Sequence, residues 1–140
     1  MKDFFNELTV GLKGEFDIRT FSSLALAYIG DSIFDICVRT YILRNANTTP
    51  NKLHNKAKDY VNAKAQSKMY KYIIDLVSDE EISVLKRGRN ANVKSVAKNA
   101  TLADYKNATG LEALFGYLYL TGNTNRILEI FKLCLESLDN

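Results

Sequence analysis

The chain has 140 residues, 46% of them hydrophobic and 25% charged, which is one domain's length with enough apolar side chain for a core and excludes a disordered tail. A single proline, Pro50, and seven scattered glycines exclude collagen-like and linker-rich classes, and no uncharged stretch reaches the ~18–20 residues needed to cross a bilayer. The opening MKDFFNELTVGLKGEFD carries early acids and lacks the apolar core and cleavage site of a secretory signal.

Residues 1–49 hold five basic side chains against six acidic, residues 50–99 hold eleven against five, and residues 100–140 hold three against five. All the excess positive charge therefore lies in the middle third. This is the distribution expected of a segment that faces a polyanion, or else of a solvated face of Lys-rich helices.

The pattern along the chain is all-helical. Thr20 is placed to N-cap a long helix running to about Arg44. Asn45–Thr49 is a polar break, and Pro50 suits the first turn of a helix over about Asn51–Tyr60. Met69, Ile73, Leu76 and Val77 recur at helical spacing in a helix over about Ala63–Val77. Ser78 with Glu81 three residues on is a capping box, opening a short helix to about Lys86. Arg87–Leu102 is basic, polar and weakly periodic, and reads as a loop. Helices over about Asp104–Thr121 and Asn123–Leu138 follow, split by Gly122-Asn123. No alternating run supports a strand, and neither GxxxxGK[ST] nor GxGxxG occurs.

Two helices are apolar on nearly every face. In the first, Leu24, Leu26, Ile29, Ile33 and Phe34 cannot share one stripe at ~100° per residue. Such a helix is central to the fold or lies in an oligomer contact, and it carries Asp31 in its middle, next to Gly30. The second, Ala108–Thr121, carries a single charge, Glu112. Burying an unpaired carboxylate costs several kcal/mol, so both acids need compensation. A divalent cation between them would supply it, with carboxylate oxygens suiting a hard ion such as Mg²⁺. Gly30 and Gly116 would let helix backbones approach closely enough to bring the acids together. The alternatives are an ion pair of Asp31 with Arg39 or a lysine, and a structural hydrogen bond at Glu112. Asp35, one turn beyond Asp31, is either a further ligand or solvent-facing.

Cys37 and Cys134 stand far apart without CxxC spacing, which points to two reduced, buried thiols rather than a disulfide or zinc site. The lone His54 cannot build a His-rich metal site and reads as a surface residue or one that faces the polyanion.

LALAYIGDSIFD (residues 24–35) resembles the signature helix of the ribonuclease III family, and ATGLEALFGYLYL (residues 108–120) resembles that family's second acidic helix. YVNAKAQS (residues 60–67) and LKRGRNANVKS (residues 85–95) are similar to the segments between them, in the same order and spacing. The family pattern E-x-x-E-x-x-G-D meets Leu24 and Ala27 at its two Glu positions, and D-x-x-E meets Thr109 at its Asp position. These departures, and LKRGRNA, resemble the small Mini-ribonuclease III branch.

The resemblance implies one all-helical catalytic domain over residues 1–140, without a separate double-stranded-RNA-binding domain. It implies a cytoplasmic homodimer that cleaves double-stranded RNA with Mg²⁺, Mn²⁺ being a possible substitute, and that matures the 23S ribosomal RNA precursor. Asp31 and Glu112 would be the catalytic, metal-binding pair, and Thr109 would at most hold a metal-bound water. The alternative is a non-catalytic RNA-binding or ribosome-assembly module on the same fold.

Recognition of duplex RNA rests on phosphates, 2′-hydroxyls and shape, because its base edges lie in a deep, narrow groove. Lys86, Arg87, Arg89, Asn90, Lys94 and Lys98, with Asn92, suit that task in or beside the expected loop. Lys52, His54, Lys56, Lys64 and Lys68 could widen the contact. No aromatic residues interleave with the basic run, which argues against a stacking platform for single strands.

Overall fold

The computed structural model describes residues 4–12, 14–92 and 100–139. Among the described residues there are seven α-helices, one 3-10 turn and no strand. The helices are α1 (Phe4–Gly11), α2 (Ser23–Asn45), α3 (Pro50–Ala57), α4 (Ala63–Ile73), α5 (Asp79–Arg89), α6 (Leu102–Leu120) and α7 (Thr124–Asp139).

The helix boundaries follow local capping chemistry. Ser22, not Thr20, opens α2, its hydroxyl accepting from the Ala25 N–H at 3.1 Å. Thr20 is unavailable because its hydroxyl donates to the Asp17 carbonyl at 2.7 Å and closes the 3-10 turn Ile18–Thr20. Thr49 caps α3 with Pro50 in its first turn. That helix ends at Ala57 rather than Tyr60, and α4 ends at Ile73 rather than Val77, where the Leu76 N–H turns back to the Ile73 carbonyl at 2.8 Å. The Ser78–Glu81 capping box forms in both directions.

The expected boundary after Lys86 is wrong. α5 continues through Arg87, Gly88 and Arg89, and Asn90 is its C-cap. Two forces extend it. Basic side chains in a last helical turn oppose the carbonyl end of the helix dipole. Gly88 also packs backbone to backbone on α6, where an added Cβ would meet the Gly110 Cα at 2.7 Å. Thr101 caps α6 at its start, and Gly122, at φ 77°, ends it. There the Asn123 N–H reaches the Leu118 carbonyl and the Gly122 N–H reaches Tyr119, a Schellman ending.

Helix α6 is apolar all round because it is the centre of the fold, packed against α2, α4, α5 and α7. Leu111, Leu114 and Phe115 are fully buried there, and Phe34 meets Phe115 edge to face at 5.3 Å between centroids. Helix α2 divides its apolar residues instead. Phe34 and Val38 are fully buried, Phe34 against Phe115 of α6, while Leu24, Tyr28 and Ile36 are exposed. A partly buried ion pair ties α5 to α7: Arg126 Nε and Nη2 each donate to Glu81 at 2.8 Å and hold that carboxyl below its ordinary range. No described helix is long and apolar enough to cross a membrane.

Candidate active site

The acids singled out from the sequence meet where α2 crosses α6. The crossing is made by two glycines, one on each helix. A Cβ on Gly30 would sit 1.7 Å from the carbonyl oxygen of Glu112, and a Cβ on Gly116 would sit 1.9 Å from that of Leu26. Only the missing side chains permit this approach, which carries the residue after Gly30 to the edge of Glu112.

The Asp31 and Glu112 side chains interact directly. The Glu112 carboxyl is half-buried and pushed up to about 8, first by burial, then by the hydrogen bond and negative charge of Asp31, with the Gln66 amide acting the other way. The expectation that both acids are buried holds only in part, because Asp31 lies on the outward side of α2 and is exposed. Neither acid forms an ion pair with a base among the described residues. Arg39, an alternative partner for Asp31, pairs with Asp35 at 3.0 Å, one helical turn away. Asp35 thus has its own counter-ion.

Thr109 is half-buried, and its hydroxyl donates to the Tyr105 carbonyl of its own helix at 3.0 Å. Among the described residues no group of three or more His, Cys, Asp or Glu side chains is placed to hold a metal. The acid pair is therefore the whole carboxylate set of the described site.

Helix α4 supplies residues that sequence reasoning missed. Gln66 and Ser67 are buried against α6, and Asn107 Nδ2 donates to Ser67 Oγ at 3.0 Å. The Ser67 hydroxyl in turn bonds Asp104 and lowers its pKa. Tyr70, one turn beyond Gln66, is buried under Gly110 and interacts with Arg89. The signal was present in the sequence: Gln66, Ser67 and Tyr70 share the face of Met69 and Ile73, where polar groups need partners.

The basic residues divide by position. Lys86, Arg87 and Asn90 lie at the end of α5 and are exposed, Arg89 is half-buried, and Asn92 is exposed just beyond. Arg89, between them, interacts with Tyr70. Lys94 and Lys98 lie outside the described residues. Lys52, His54, Lys56, Lys64 and Lys68 are carried by α3 and α4. Contact between Gly88 and Gly110 seats the basic end of α5 on α6 two residues before Glu112. Cys37, half-buried, and Cys134, buried, are both free thiols. Burial pushes each up, Cys37 to about 11, so neither is a thiolate at neutral pH.

A family model described as the ribonuclease III domain matches residues 24–123. Mini-ribonuclease 3 of Clostridium tetani is 46% identical over 121 residues, covering 86% of this chain and 80% of that protein. Mini-ribonuclease 3 of Enterococcus faecalis is 41% identical over 122 residues, covering 86% of this chain and 92% of that protein. A crystal structure of a Fusobacterium nucleatum protein has a similar fold, with a TM-score of 0.79 and 36% identity over 87% of this chain and 99% of that one. The chain belongs to the ribonuclease III family. Within that family it is similar to the Mini-ribonuclease 3 enzymes, and it is an endoribonuclease.

Proposed function

We propose that Asp31 and Glu112 hold one Mg²⁺, for which Mn²⁺ can substitute, and that the site hydrolyses phosphodiester bonds of double-stranded RNA. The observation that carries this reading is the contact of Gly30 with the Glu112 carbonyl, which joins two acids that no base among the described residues neutralises. The donor set suits a hard cation, since it consists of carboxylate oxygens, one exposed and one half-buried. A cation also relieves the repulsion that opposes ionisation of Glu112 beside Asp31.

When bound, such an ion supplies Lewis acidity, lowering the pKa of water and offsetting charge that develops on the phosphate. The protein's own groups do the rest. Asp31 and Glu112 would hold the ion, while Lys86, Arg87, Arg89 and Asn90 bind the RNA backbone, with Lys94 and Lys98 as further candidates. No protein nucleophile is required, and both cysteines are protonated at neutral pH.

We further infer a homodimer in which the outward face of α2 meets its copy. Leu24 is 47% and Tyr28 81% exposed on the helix that carries Asp31, and such a contact would set two acid pairs near one duplex. The cellular substrate proposed is the 23S ribosomal RNA precursor, processed in the cytoplasm, where two free thiols stay reduced.

Asp31→Asn tests the reading. It should abolish cleavage of a duplex RNA while circular dichroism and sedimentation stay those of the wild type. Full cleavage by this variant would remove Asp31 from the site.

A further inference from the structure

Helix α4 presents two neighbouring buried polar side chains to α6, and their surroundings differ. Ser67 is fully paired, accepting from Asn107 and donating to Asp104. Gln66 is 4% exposed, and its Nε2 makes no fully formed hydrogen bond, only a weaker interaction with the Glu112 carboxyl. Natural folds rarely leave a buried donor unpaired, because it has lost water without replacing it. The neighbour that Gln66 acts on is Glu112, whose carboxyl it favours in the charged form. A carboxylate is a much stronger acceptor for such an amide than a neutral carboxyl group.

We propose that Gln66 is a positioning residue for Glu112: its Nε2 donates to one carboxylate oxygen and so turns the other toward Asp31 and the cation. This inference rests on the cation reading of Asp31 and Glu112. It assigns the buried amide a role in the site and none in the fold. One oxygen of Glu112 is then anchored from the side of α4, while α2 brings Asp31 from the other. A carboxylate held at one oxygen loses less freedom when the second takes a ligand, which is why outer partners of metal ligands matter.

The two roles give opposite signs in one experiment. Gln66→Met keeps the length and volume of the side chain and removes the amide. Mn²⁺ binding to the full chain, followed by the electron paramagnetic resonance signal of free Mn²⁺ without RNA, should weaken about 10- to 100-fold. The thermal midpoint in EDTA should equal or exceed that of the wild type, since the buried amide makes no fully formed hydrogen bond in the metal-free fold. With Mg²⁺ and duplex RNA, kcat should fall while KM stays the same.

Unchanged Mn²⁺ affinity in Gln66→Met would overturn the proposal. So would a variant that melts well below the wild type or fails to fold, because the amide would then be a structural group. Failure of the wild-type chain itself to bind Mn²⁺ would overturn the reading of Asp31 and Glu112, and this proposal with it.

Discussion

Gly30 rests on the backbone of Glu112, so closely that a methyl group on Gly30 would lie 1.7 Å from the Glu112 carbonyl oxygen. The same residue pair thus fixes how near α2 comes to α6 and how near Asp31 comes to the second acid. Fold and site share one contact.

Gly30→Ala should therefore damage both. The added Cβ meets rigid helix backbone, which cannot move aside as a flexible side chain would. Overpacking of this kind should cost about 3 kcal/mol or more, and cleavage of duplex RNA should fall with it. Gly11→Ala is the control, since nothing lies within 4 Å of a Cβ at that position in α1. Urea denaturation of the two variants checks the contrast. Equal stability of Gly30→Ala and the wild type would show that the helices are not in this contact.

The acid pair should leave a pH signature in metal-free buffer. Glu112 is raised from its ordinary value of 4.5 to about 8, chiefly by burial and then by Asp31. Between those values the folded protein binds the proton and the unfolded chain does not, so stability falls as pH rises through this window. Glu112→Gln removes that titration. Its stability in EDTA should match the wild type near pH 4 and exceed it at about pH 8–9. A difference independent of pH would contradict the upward shift of Glu112.

The end of α5 should carry a measurable share of RNA affinity. Replacing Arg87 and Arg89 together by Ala should weaken duplex binding and flatten its dependence on salt, by about one unit of log–log slope for each phosphate that is no longer neutralised. The measurement is fluorescence anisotropy across a salt series. An unchanged slope would move recognition to α3, α4 or the segment after Asn92.

Much of this arrangement is legible in the sequence. Ser78 and Glu81 announce their capping box by spacing alone. Asp31 and Glu112 stand out because carboxylates are rare in helices that are apolar all round. Gly30 and Gly116 are readable as places of close approach because a helix interior otherwise disfavours a missing side chain. Other features depend on distant partners. Helix α1 leaves no clear periodic trace, and it is placed by contacts such as Phe5 against Tyr119, 5.9 Å between ring centroids. Arg87–Arg89 looks like loop because it is polar and weakly periodic, whereas the Gly88–Gly110 contact keeps that turn helical. Gln66 escapes notice because Lys64, Ser67 and Lys68 surround it in sequence, and only its spacing from Met69 and Ile73 marks the buried face. The exposure of Asp31 is hidden for the converse reason, since several apolar residues near it on α2 are themselves exposed.

Convergence of the two acids on a cation is tested most directly by diffraction from crystals of the full chain soaked in Mn²⁺. Anomalous density should appear between α2 and α6, within coordination distance of the Asp31 and Glu112 oxygens, and should vanish in crystals of Asp31→Asn. Manganese density that sits elsewhere, or none at all between these two helices, would contradict the claim that Asp31 and Glu112 together hold the ion.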